Sequence, residues 1–200
     1  MPDVEILPLR GEQAPAYIPA LAQLRMEVFR EFPYLYDGSM AYEENYLRTY
    51  LSSPDSVIVL VRDGDRIVGA STALPMRDET IEFQQPFLAQ GYAIERIFYF
   101  GESVLLPPYR GQGIGVAFFE ARQAHARQVG EFDLYCFCAV ERESDHPLRP
   151  AGYQPLDNFW GHRGYTKHPE LVTVYRWKDI DQPIETDKKM VFWLKQVNGR

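Results

Sequence analysis

Between a β-rich run and a helical one, the chain sets two prolines and then three glycines at alternate positions: Pro107-Pro108-Tyr109-Arg110-Gly111-Gln112-Gly113-Ile114-Gly115. The prolines end the strand-like run Ile97–Leu106, because proline has no N–H to give a sheet ladder. Gly111, Gly113 and Gly115 admit positive φ and leave no Cβ between the backbone and a ligand. The helix predicted over Gly115–Val129 stops at Gly130. Its first amides have no partner inside the helix and stand at the positive end of its dipole. A strand, such a loop and a helix together make a cradle for a phosphate or diphosphate.

Two common phosphate loops do not match. A P-loop ends in Gly-Lys-Ser/Thr, whereas this loop ends Gly113-Ile114-Gly115-Val116. The dinucleotide fingerprint G-x-G-x-x-G fails from either start, since its last position falls on Val116 or on Phe118. On glycine chemistry alone, a turn without a ligand stands beside the cradle reading.

The remaining elements follow from periodicity and punctuation. Val4–Leu9 reads as a strand and Ala14–Phe32 as a helix with an apolar stripe at Ile18, Leu21, Leu24, Val28 and Phe29. Ser39 caps a second predicted helix, Met40–Leu51. Ser56–Arg62 and Arg66–Leu74 flank Asp63-Gly64-Asp65, a hairpin signal. Thr80–Gln90 reads as a short helix, Phe132–Ala139 as a strand and Leu156–Arg163 as a short helix. Leu171–Lys178 and Lys189–Lys195 are strands expected to pair as a closing ribbon, with Met190–Leu194 able to complete its own sheet or to pair across a dimer. The strand–helix–strand unit around the glycine loop implies one parallel pair in a mixed α/β sheet with helices on its faces. We see no repeat or interdomain linker, so residues 1–200 read as one domain.

Composition excludes several classes of partner. A formal net charge of -7, with no basic run, argues against a nucleic-acid partner. No stretch of about 18 apolar residues is present, so no membrane span is expected. Met1–Gln13 lacks the pattern of a signal peptide, and residence in the cytoplasm is the expectation. Cys136 and Cys138 sit two apart in one strand, badly placed to bond each other, and read as buried free thiols. No metal is expected: His125 and His146 fit no zinc spacing. The aromatic share of 14% fits either a lined pocket or a Tyr-rich core.

Arg110-Gly111-Gln112-Gly113-Ile114-Gly115 resembles the R/Q-x-x-G-x-G/A signature of the GNAT superfamily of acyl-CoA N-acyltransferases. The lead-in Leu105–Tyr109 is similar too, and the element order resembles that fold from about Val4 to Lys195. The resemblance implies a mixed, mostly antiparallel sheet with one parallel pair splayed around acetyl-CoA. It implies that the amides of Gly111, Gln112, Gly113, Ile114 and Gly115 take the coenzyme's diphosphate, with Arg110 lending charge or bracing the loop. It further implies that Val104, Leu105 and Leu106 hold the pantetheine arm through their backbone, with Asn158 and Trp160 nearby. The reaction implied is direct acetyl transfer to an amine of a small molecule or peptide, by a monomer or homodimer. Alternatives are a non-catalytic acetyl-CoA sensor and a transferase for a longer acyl-CoA.

Glu102 is a charge inside an apolar run, next to the expected thioester. It reads as the general base or as a structural carboxylate paired with Arg96 or Arg25. The family's usual acid is a tyrosine, but that position holds Trp160, whose indole N–H is no practical acid. Tyr153, His162 or solvent stand in as candidates. Phe32, Tyr34 and Tyr36, followed by Tyr42, Glu43 and Glu44, form a region suited to a cationic amine or to a solvated helix face. Tyr99 is expected at the rim, on the strand face opposite Glu102.

Overall fold

In a computed structural model of the chain, residues 4–10 and 13–197 are described; residues 1–3 and 11–12 of the opening stretch lie outside them. Strand β1 (Val4–Arg10) leads to helix α1 (Ile18–Phe29), which a short turn at Pro15–Tyr17 introduces. The predicted helix Ala14–Phe32 is thus shorter at both ends. Phe32 precedes Pro33, a position that disfavours helix. Helix α2 (Met40–Ser52) begins where Ser39 Oγ accepts the Tyr42 N–H at 3.4 Å. Strands β2 (Val57–Asp63) and β3 (Arg66–Pro75) form the expected hairpin about Gly64, whose φ of 57° suits glycine.

Helix α3 (Ile81–Ala89) precedes β4 (Ile97–Leu105), α4 (Ile114–Val129) and β5 (Leu134–Val140). A short helix α5 (Asp157–Gly161) and the ribbon β6 (Thr166–Lys178) and β7 (Glu185–Gln196) complete the order. Both ribbon strands run longer than expected: pairing begins at Thr166, shifts register between His168 and Val172, and continues to Lys178 opposite Glu185.

Among the described residues, seven strands form one sheet in the order β1-β2-β3-β4-β5-β7-β6, antiparallel throughout except for β4 and β5. Since β7 lies between β5 and β6, both its edges are paired, and Met190–Leu194 completes the chain's own sheet. Alternate side chains of β4 face opposite layers. Phe98 and Phe100 pack on α4 through His125 and Phe119, whereas Tyr99 meets Phe83 of α3. Val57–Val61 of β2 are at most 1% exposed, as expected of a strand covered on both faces. Among the described residues, no helix is long and apolar enough to cross a membrane. Cys136 and Cys138 are buried free thiols.

Candidate active site

The glycine loop adopts the geometry its sequence suggests. Gly111 and Gly113 have φ of 74° and 85°, and Gly113 caps α4, its carbonyl accepting the N–H of Val116 at 2.9 Å and of Ala117 at 3.1 Å. Among the described residues no protein acceptor takes the N–H of Gln112, Gly113, Ile114 or Gly115. Four donors therefore stand free at the positive end of a 16-residue helix. Gln112 Nε2 donates to Pro108 O at 2.8 Å and fixes the loop from within. Arg110 reaches back: Nε donates to Leu105 O at 2.9 Å, and the guanidinium forks onto Glu31 at 2.7 and 3.1 Å. It braces the loop against the end of β4 and the segment after α1.

The parallel pair is short. Ile97, Phe98 and Tyr99 face Leu134, Tyr135 and Cys136, and beyond Tyr99 the two strands no longer pair. On its other edge β4 bulges: Ser71 faces Ser103 and Ala73 faces Phe100, so Thr72 stands opposite both Gly101 and Glu102. Glu102 N–H donates to Thr72 Oγ1 at 3.3 Å. Arg122 of α4, 2% exposed, supports the bulge from beneath, with Nη1 donating to Thr72 O at 3.4 Å and Glu102 O at 3.3 Å. Burial lowers its pKa to about 10, so it stays charged at neutral pH, over the Phe100 ring.

The bulge adds one residue and so reverses the expected faces. Tyr99 and Glu102 were read as pointing apart; both open into one pocket, because the extra residue shifts the two-residue alternation. Ladder parity also divides the pantetheine candidates. Leu106 N–H donates to Val68 O and Val104 pairs with Ala70, so those two backbones turn toward β3. Ser103 and Leu105 turn toward the gap.

The pocket, with about 90 Å³ of space and a side open to solvent, lies on the face covered by α1, α2 and α3. At its floor Arg25 joins two carboxylates: Nε donates to Glu43, and Nη1 lies 2.7 Å from Glu102 Oε1. Burial opposes the Arg25 charge, but Glu102, Tyr46 and Glu43 together outweigh it and raise its pKa above the ordinary value. Arg25 stacks over Tyr46 at 4.3 Å and Phe29 at 5.0 Å. Tyr46 Oη donates to Glu102 Oε2 at 3.4 Å. The Tyr42 and Tyr175 hydroxyls, 2.6 Å apart, join α2 to β6. Cys138 Sγ lies 3.3 Å from Tyr99 Oη, and burial pushes this thiol up to about 12, far from a working nucleophile at neutral pH.

The model of the Acetyltransferase (GNAT) family matches residues 19–150. This chain belongs to the GNAT acetyltransferases. The match takes in the glycine loop, the bulge and the first two helices. Solved structures with the same fold include NAA60 of Arabidopsis thaliana in complex with acetyl-CoA, 13% identical with a TM-score of 0.62 over 98% of this chain and 99% of that one. An acetyltransferase of Streptococcus agalactiae is 15% identical with a TM-score of 0.61, covering 98% of this chain and all of its own. A ribosomal-protein-alanine N-acetyltransferase from Brucella melitensis is 12% identical with a TM-score of 0.60, over 96% and 99%. No curated protein matches in sequence.

In this GNAT chain Tyr34, Tyr36, Tyr99 and Glu102 meet in the pocket, and Phe32 does not. Phe32 packs edge-on to Tyr153 at 4.7 Å, and Arg149 covers the Tyr153 ring at 5.0 Å, so both candidates sit outside the pocket. Arg25, and not Arg96, pairs with Glu102; Arg96 is held by Asp133 at 2.7 Å. Trp160 packs between Phe137 and Trp193, centroids 5.0 and 5.1 Å away, and its neighbour Phe159 lies against Gly115. Asn158 is exposed on α5. Phe83, Tyr175, Trp177 and Met190 also line the pocket and were not singled out from sequence. The two-residue spacing of Tyr175 and Trp177 was the available signal.

Proposed function

We propose that this protein transfers the acetyl group of acetyl-CoA to a primary amine held in the aromatic pocket. The observation that carries the reading is the set of four unpartnered N–H groups at Gln112–Gly115, next to a sheet gap that runs up to Glu102. Those donors fit a diphosphate. The backbones of Ser103 and Leu105 face the gap and fit an amide-bearing arm. When bound, acetyl-CoA supplies an acetyl thioester: a nitrogen–carbon bond forms, the carbon–sulfur bond breaks, and the sulfur leaves with the amine's second proton.

The chain's own groups prepare the amine. Glu102 Oε1 is held by Arg25, which leaves Oε2, touched by Tyr46 alone among the described residues, to take the first proton. The Arg122-supported bulge fixes that carboxylate at the end of the gap. Arg110 braces the loop. Two buried free thiols fit the cytoplasmic setting expected from sequence.

A second reading also has an observation behind it: the ion pair with Arg25 and the tryptophan at position 160 suit a sensor that binds acetyl-CoA without turnover. Release of free thiol from acetyl-CoA in the presence of amines decides between the two. We expect release, and a loss of roughly 10²- to 10⁴-fold in kcat for Glu102→Gln, the usual worth of a positioned base. Thiol release at an unchanged rate in that variant removes Glu102 from the mechanism. Competition between acetyl-CoA and longer acyl-CoA substrates settles the acyl chain.

A further inference from the structure

Glu43 is a carboxylate without a surface. It is 0% exposed, so neither acceptor nor coenzyme touches it. A charge buried this deeply is costly and persists only where partners hold it. Arg25 Nε donates to Glu43 Oε2, and the Tyr36 hydroxyl hydrogen-bonds to the same carboxylate. Arg25 treats its second carboxylate differently. Nη1 approaches Glu102 Oε1 at 2.7 Å but makes no hydrogen bond there among the described residues. Glu102 thus has a charge beside it without the two-point fork that Arg142 makes on Asp179, at 2.7 and 2.9 Å. The guanidinium is not free to swing onto Glu102. Glu43 holds Nε, and the Tyr46 and Phe29 rings flank the guanidinium carbon at 4.3 and 5.0 Å.

A general base has to rest ionised and still accept a proton when the amine arrives. One buried guanidinium forked onto one carboxylate meets the first need and defeats the second, since an adjacent opposite charge lowers a carboxylate's pKa by about 1–3. Two carboxylates sharing one guanidinium leave the cluster with a net negative charge, which favours taking up a proton. The other groups around Glu102 do not cancel that charge. Tyr34, Tyr46, Tyr50, Tyr99 and Cys138 keep their protons, because burial raises each well above its ordinary range. Arg122 lies on the other side of the bulge and donates to the Glu102 carbonyl. Glu79, which ionises at about 7, adds charge of the same sign as Glu43.

We infer that Glu43 is a positioning residue for acetyl transfer: by holding Arg25 at Nε and sharing its charge, it keeps Glu102 able to accept the amine's proton. This rests on the transferase reading above, in which Glu102 is the base. Glu43 acts through Arg25 and touches no reacting atom.

The test uses the full chain. Carboxyl carbon-13 NMR from about pH 3 to 8 follows the titration of Glu102, whose signal Glu102→Gln identifies by its loss. In Glu43→Gln the Glu102 midpoint is expected to fall by about one pH unit, because Arg25 then faces a single carboxylate. That pair is balanced in charge, so the variant should fold; Glu43→Met, of similar volume, is read the same way if it does not. With a primary amine for which the wild type releases thiol, kcat of Glu43→Gln should fall about 3- to 10-fold and its acid limb should move to lower pH, with both KM values unchanged. Glu43→Asp, which keeps the charge, should restore the midpoint and the limb. A purely structural Glu43 would change stability and leave the midpoint where it was. A midpoint that stays or rises in the folded variants, or an unmoved acid limb, overturns this inference and leaves the transferase reading intact. Absence of thiol release by the wild type with any amine overturns that reading, and this inference with it.

Discussion

Glu79 lies in the connection after β3 with its carboxylate 6% exposed on a residue basis and no cation beside it. Oε2 accepts the Thr80 N–H at 2.7 Å, and Oε1 has no partner among the described residues. Burial raises its pKa to about 7, with Glu102 and Glu82 adding to the shift. Between about pH 4.5 and 7, the folded chain therefore holds a proton that the unfolded chain has released. Stability falls as pH rises through that window, by on the order of 3 kcal/mol in total. Asp133 and Glu141, held below the ordinary range by Arg96 and by Lys167 and Lys189, act at lower pH and in the opposite sense. Thermal melts at pH 5 and pH 8 check this: Glu79→Gln is expected to melt with wild type at pH 5 and well above it at pH 8. A variant less stable at pH 8 would show that the charged form is accommodated after all.

At the scale of elements, the bulge in β4 depends on Gly101. A Cβ there would lie 2.0 Å from Tyr50 Oη and 2.5 Å from Thr72 Oγ1. Gly101→Ala is expected to cost about 1–3 kcal/mol, as overpacking does, and to lower activity by moving Glu102. Tyr50→Phe removes the closest atom, so the double variant should recover part of the loss, a coupling that urea unfolding of the four chains measures. The bulge also marks where sequence reading stopped. Pro107, Pro108 and the three glycines announce the loop and helix, because punctuation and helical period are local signals. One inserted residue inside a strand has no such mark, and it moved Tyr99 onto the face of Glu102. The pocket was half legible: Tyr34, Tyr36 and Glu43 cluster in the chain, whereas Phe83, Tyr175 and Met190 arrive from α3, β6 and β7 only through the topology. Strand ends at Glu185 and Thr166 were hidden because the ribbon's solvent face is charged there.

Across the whole molecule, β1–β4 and β5–β7 meet through only three register pairs, Ile97–Leu134 to Tyr99–Cys136. A ligand lying along the open remainder of that seam would contact both halves of the sheet, and one that binds only the folded chain stabilises it by mass action. Coenzyme A at about 100 times its Kd corresponds to about 2.7 kcal/mol, which for a chain near this size is a rise in Tm of about 5–10 °C. The diphosphate should carry much of this, since the free donors sit at Gln112–Gly115, so pantetheine alone at the same concentration should give a far smaller rise. Gly113 has φ of 85°, where a Cβ strains the backbone whatever the space around it. Gly113→Ala should therefore lose the coenzyme A response while its unliganded Tm falls only modestly, because no neighbour lies within 4 Å of the added carbon. An equal response to pantetheine and to coenzyme A would place the binding energy in the β4–β5 gap and away from the helix that opens at Gly113.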